Sequence, residues 1–173
     1  AAFVLVPRIN AVGRMGSPVR ALQLLLTEDE EEAEELAAVV CRENERRKET
    51  EMGIFSEVLE QLRREPERLL KRVLVVVGEG WHPGVIGIVA ARLAEKFGKP
   101  AFVISCCGKE ARGSGRSVGD FSLFEAVCSC AELLTKYGGH PMAAGISLPK
   151  ENVDAFQKKI NQYAAHHKTP LAE

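Results

Sequence analysis

The chain has 173 residues, 46% of them hydrophobic and 27% charged, with a formal net charge of -1. That length carries one ordinary domain and an attached segment rather than two full domains. The balanced charge excludes a global attraction to polyanions or membrane surfaces, so any nucleic-acid site has to be a local patch.

No apolar run approaches the roughly 20 residues of a spanning helix, and the start "AAFVLVPRINAVGR" has neither a basic region nor a small-residue cleavage site. The reading is a cytoplasmic protein. The sequence opens without Met in a strand-like run, which suggests a piece of something longer. Cys41, Cys106, Cys107, Cys128 and Cys130 form no C-x-x-C pair and read as reduced, mostly buried thiols; nothing supports a redox role for adjacent Cys106 and Cys107.

In chain order, "FVLVPRINAVGRMGSP" reads as a strand end entering a Gly-rich loop, and "PVRALQLLLT" as a short helix. Thr27 is the expected N-cap of the next helix. From Glu28 to about Arg64 no proline interrupts and the acidic opening suits the positive end of a helix dipole, which predicts one long helix. Its middle, "RENERRKETE", has no apolar stripe and reads as a solvent-crossing connector supported by i,i+4 charge pairs.

"VLVVVGEG" is a buried strand, "HPGVIGIVAARLAEKFG" a helix with Pro83 in its first turn and Gly98 as its stop, and "KPAFVISCC" a second strand. Together they form a βαβ unit with parallel strands. "GKEARGSGRS" reads as an exposed strand or loop, "SLFEAVCSCAELLTKYG" as a helix capped by Ser122, "AAGISLP" as a strand and "ENVDAFQKKINQYAAHH" as a closing amphipathic helix, with a frayed tail. The fold class is therefore α/β: a mixed sheet with a parallel βαβ unit and flanking helices, preceded by a long connector helix.

Four stretches could carry chemistry. "GEGWHPG", a strand-to-helix turn, is a place for anions, but Gly78, Gly80 and Gly84 miss the dinucleotide spacing by one residue and no acidic residue ends the next strand. A tight turn with Trp81 as a packing plug competes with a site there. "RGSGRS" sets Arg112 and Arg116 among small and hydroxylated residues, a pattern suited to phosphate oxygens. "KYGGHPMAAG" offers His140 on a turn stripped of bulk by Gly138 and Gly139, and His82 sits on the other Gly-flanked turn. "PRINAVGR" puts Arg8, Asn10 and Arg14 ahead of a helix, where they bind phosphate or merely cap. Asp29, Asp120 and Asp154 are far apart in sequence, with no D-x-D, H-x-E or DHH cluster that would assemble a metal site.

Taken together, "PRINAVGRM", "NERRK", "GWHPGVIGIVAARLAEKFGKP", "GSGRS" and "KYGGHPMAAG" in this order resemble the C-terminal part of the RecJ-type single-strand-specific exonucleases of the DHH phosphoesterase superfamily. The resemblance implies residues 1–27 as the end of a DHH catalytic domain, 28–66 as a connector helix, 67–167 as a DHH-associated substrate-binding domain and 168–173 as a tail. It implies processive 5′ to 3′ hydrolysis of single-stranded DNA in repair and recombination, with Mn²⁺ or Mg²⁺ held by a domain absent from this chain and no metal on the chain itself. His140, with Gly138 and Gly139, would contact phosphate, catalytic only in concert with that domain. Arg116 and Ser117 would hold the DNA backbone, and Arg112, Asn10, Arg14 and His82 are further candidate contacts, His82 without an assigned task. The chain alone would be inactive. Implied partners are single-stranded DNA, a single-strand-binding protein and a helicase; a monomer and no membrane are expected. The alternative is a nucleic-acid or nucleotide binding module of another DHH-family phosphodiesterase, of oligoribonuclease type.

Overall fold

The computed structural model describes residues 4–166. The chain divides into two compact units, Ala1–Gly53 and Ile54–Glu173. The anticipated tail, residues 168–173, lies outside the described residues.

The first unit is helical. Helices α1 (Leu5–Met15), α2 (Val19–Leu26) and the beginning of α3 (Glu30–Arg64) gather Val12, Ala21 and Val40 into a small core, with Ile9 and Leu24 against it. The opening is thus a helix, not a strand running into a loop. The apolar run that suggested a strand has no periodicity that separates the two, and Pro7 sits in the first turn of α1, where no intrahelical N–H is lost. Thr27 is not the N-cap of α3. It ends α2, donating its N–H to the Gln23 carbonyl, while Asp29 accepts from the Glu32 N–H at 2.8 Å and so caps α3.

Helix α3 runs through the predicted connector, and the division between the units falls inside it. Its charged middle has the expected short-range pairs, Lys48 to Glu45 at 2.9 Å and Arg47 to Glu51 at 2.6 Å. It is not polar and solvated all round, however: Asn44 is 2% exposed, and the Arg47 and Glu51 side chains are 14% and 12% exposed. A charged helix face can be covered when its polar ends pair with one another, which composition alone does not reveal.

The second unit is built on a five-stranded sheet: β1 (Leu74–Glu79), β2 (Ala101–Cys107), β3 (Glu110–Arg116), β4 (Lys136–His140) and β5 (Ala143–Pro149), in the order β1-β2-β3-β5-β4. β1 and β2 are parallel and joined through α4 (Pro83–Phe97); the other pairs are antiparallel. Pro83 and Gly98 bound α4 as anticipated, Gly98 in the left-handed conformation with φ 59°. α5 (Leu123–Cys128) and α6 (Val153–His166) contribute to the main core, where Phe102 meets Phe156 edge to face at 5.4 Å.

Two expectations fail here. Of the exposed strand or loop expected at "GKEARGSGRS", the strand is right and the exposure is not: it is the middle strand of the sheet, Ala111, Gly113 and Gly115 are buried, and a Cβ on Gly115 would sit 2.6 Å from Phe102 and 2.8 Å from Leu123. Its glycines admit neighbouring side chains to the sheet. Helix α5 stops at Cys128, and the segment assigned to its continuation becomes a short 3-10 turn, Ala131–Leu133, and then strand β4.

β1 lies at a sheet edge but is not open. Asn161 bonds both the N–H and the carbonyl of Val73 at 2.9 and 3.0 Å, Arg68 reaches the Val75 carbonyl at 3.1 Å and Gln61 the Val77 carbonyl at 3.0 Å. These bonds occupy the groups through which another strand would add.

Candidate functional site

Cross-strand register decides what gathers on each face, because directly paired residues in a sheet project to the same side. Arg116 pairs with Ala143 and Ala143 with His140, so the arginine of "GRS" and the histidine of "GGH" stand in one row, two strands or about 10 Å apart. Two residues along, Ser114, Gly145 and Gly138 form the next row; Arg112, Ser147 and Lys136 form the third. Helix α4 lies on this same face, since a Cβ on Gly87 would meet Ser114 Oγ at 2.9 Å and Arg116 Nη2 at 3.1 Å. Beyond α4 the face is open: Gly138 and Gly145 are exposed, with nothing within 4 Å of where their Cβ atoms would be.

The result is a trough with glycines at the middle of its floor. On one side stand Arg112, Ser114 and Arg116 of β3, and on the other Lys136 and His140 of β4. A shallow open pocket of about 370 Å³ in it is lined by Arg112, Ser114, Lys136, Ser147 and the first turn of α4 at Pro83 and Ile86. Arg116 is half-buried and held in place, donating through Nη1 to the Gly115 carbonyl at 2.7 Å and to Ser114 Oγ at 3.2 Å. His140 is exposed on an edge strand, not on a turn after a helix, and its Nδ1 accepts the Met142 N–H at 3.4 Å. That contact directs the other ring nitrogen away from the backbone. Gly139 carries φ 151°, and a Cβ there would be 2.2 Å from the Ala143 oxygen, so the strand end before His140 can be made only with glycine.

The remaining candidates are distributed differently. Ser117 is 7% exposed and donates its hydroxyl to the Phe121 carbonyl at 2.6 Å, bracing the loop behind Arg116. His82 is the N-cap of α4, its Nδ1 accepting the Gly84 N–H at 3.1 Å, so this imidazole occupies a backbone donor that an anion would otherwise use. Trp81 is 5% exposed; its ring packs on Gly78 and its Nε1 donates to Glu57 at 2.7 Å. It is a packing plug. Tyr137, paired with Ile146, alternates to the face opposite Lys136 and Gly138. Asn10 and Arg14 lie on helix α1 of the first unit rather than on a loop.

Sequence reasoning missed Lys136, Ser114 and Ser147. Lys136 stood in a segment read as helix, and the signal that it shares a face with Arg112 is the pairing of both with Ser147. The cysteines are also less buried than anticipated: Cys106 and Cys130 are buried, whereas Cys41, Cys107 and Cys128 are exposed. Cys106 and Cys107 alternate to opposite faces of β2, and burial pushes the Cys106 and Cys130 thiols above their ordinary range.

The chemistry within reach of the trough is recognition of phosphate. Arginine forks and an ammonium can grip diester oxygens, a ring nitrogen can donate or accept, and the floor lets a sugar-phosphate strand approach the sheet. Among the described residues no three His, Cys, Asp or Glu side chains gather as a metal-ligand set. No helix of the described residues is long and apolar enough to cross a membrane.

A family model for the DHHA1 domain matches residues 70–166. The single-stranded-DNA-specific exonuclease RecJ of Bacillus subtilis is 41% identical over 164 residues, covering 94% of this chain and 21% of its own length. The crystal structure of Thermus thermophilus RecJ in complex with Mn²⁺ superimposes with a TM-score of 0.88 at 37% identity, covering 99% of this chain and 25% of that one. The Mg²⁺ complex of the same protein gives 0.86 at 34% identity, covering 99% and 26%. The chain thus spans between a fifth and about a quarter of the length of these relatives.

Proposed function

The chain belongs to the DHHA1 domain family, and from that premise we propose that its second unit is the nucleic-acid-binding side of the cleft in a single-stranded-DNA-specific 5′ to 3′ exonuclease acting in DNA repair and recombination. The observation that carries this reading is the single row formed by Arg116, Ala143 and His140 beside an exposed glycine pair. Arg116 grips a backbone phosphate, and His140 hydrogen-bonds the phosphate presented for cleavage. Gly138 keeps that place free of bulk, Gly139 permits the strand end that carries His140, and Ser117 holds the loop behind Arg116. Contacts of this kind ignore base identity, as hydrolysis of any sequence requires.

Domain organisation follows the same reading: residues 1–27 end a catalytic domain, 28–66 connect, and 67–167 bind substrate. Mn²⁺ or Mg²⁺, the ions named with the Thermus structures, would supply activation of the attacking water and neutralisation of phosphate charge. The described residues do not fit such an ion, so this chain's share is to bind and orient the strand, and the chain alone leaves DNA intact. A cytoplasmic monomer working with a single-strand-binding protein and a helicase completes the proposal.

The test is turnover of single-stranded DNA by the full-length protein. His140→Ala lowers kcat by about 10²-fold with a smaller change in KM, because an interaction that strengthens at the transition state acts on turnover. Arg116→Ala weakens binding and lowers its salt slope by about 0.7, the share of one phosphate contact on a single strand. Unchanged kinetics in both variants, or faster cleavage of RNA dinucleotides than of DNA strands, overturns the reading.

A further inference from the structure

The pocket in the trough is not lined by Arg116 or His140. It lies at the third row, where Arg112 and Lys136 face each other across Ser147. Both cations are exposed, and neither has a hydrogen bond or ion pair among the described residues. The neighbouring carboxylate on the same face of β3, Glu110, forms no ion pair with Arg112 either. Pro83 and Ile86, in the first turn of the 15-residue helix α4, close this end, so the positive pole of the helix adds to the same potential. Two unpaired cations and a hydroxyl around one pocket, with the helix dipole behind them, make a receptor for a single anionic group.

We propose that Arg112, Lys136 and Ser147 form a second phosphate subsite, which holds the strand at a distance from the row of Arg116 and His140. It rests on the nucleic-acid reading above and extends it to substrate length. Arg112 and Arg116 are four positions apart on β3, about 13 Å at the rise of a strand. Adjacent phosphates of an extended nucleotide chain are roughly half that far apart, so the rows engage phosphates two nucleotide steps apart, with one phosphate between them. A dinucleotide fills one row; a longer strand fills both. The second row thus makes the trough a measure of length, favouring oligomers over the dinucleotides that a single row would serve equally well.

The experiment is binding of labelled pdTpdT and of 5′-phosphorylated (dT)8 to the full-length protein in chelator, with wild type, Arg112→Gln, Lys136→Gln, the double variant and Arg116→Gln. Each single variant in the second row is expected to weaken (dT)8 about fivefold or more and pdTpdT about twofold or less, and the double variant to lower the (dT)8 salt slope by about 1.4. Lys136→Arg, which keeps the cation, restores (dT)8 binding. If the second-row variants leave (dT)8 unchanged, or weaken both probes equally, the subsite is overturned. Arg116→Gln reports separately on the first row: it weakens both probes if the nucleic-acid reading holds. Wild-type protein that binds neither probe removes both.

Discussion

Gly139 shows how much one residue of the site is fixed by its backbone. Its φ of 151° and the 2.2 Å approach of a Cβ to the Ala143 carbonyl leave no relaxed conformation for a side chain. Gly139→Ala is expected to cost about 2–4 kcal/mol in thermal or urea unfolding and to displace His140. Gly138→Ala, at a position with open space where its Cβ would be, leaves the unfolding midpoint close to wild type. An equal loss in the two variants contradicts this account. The sequence singles out the glycines beside His140 as candidates together, but their structural reasons differ: Gly139 makes the strand end possible, whereas Gly138 keeps the trough empty.

At the scale of elements, the guarded edge of β1 depends on a residue 88 positions away: Asn161 satisfies both polar groups of Val73, which is 0% exposed. Asn161→Ala strands a buried donor and a buried acceptor, and the expected cost is about 2–4 kcal/mol in denaturant unfolding. Asn161→Asp, which keeps an acceptor for the Val73 N–H, should cost less. The βαβ unit, with Pro83 and Gly98 bounding α4, and the strand and helix that close the second unit were legible because their signals are local: a capping proline, a left-handed glycine, an apolar period. β4 was not. Leu133, Leu134 and Tyr137 extend the helical spacing of α5, and only pairing with β5 makes Lys136–His140 a strand. α1 was misread for the complementary reason, a short apolar run that suits either structure. The site followed the same division: Arg116 and His140 could be picked out by motif, whereas Lys136 required the register.

For the whole molecule, charge and thiols make the distinction between balance and distribution. A net charge of -1 conceals a face on which Arg112, Arg116 and Lys136 stand together. Thiol chemistry gives an independent check of the arrangement. Cys41, Cys107 and Cys128 are exposed, while burial raises the thiol pKa of Cys106 and Cys130 and so lowers their thiolate fraction at any given pH. A disulfide reagent under native conditions is expected to label three sites quickly, and the remaining two at the rate of unfolding. Rapid labelling of all five contradicts the packing around β2 and α5.

The glycine floor has a kinetic meaning on the proposed reading. A strand advancing through a processive enzyme must leave each position as readily as it enters, and any side chain rising from the floor would favour some bases over others and create a resting place. Gly138 and Gly145 offer no such foothold. The grip is confined to the two walls and to Ser147 between them, where every nucleotide looks alike, and the glycines contribute only low friction.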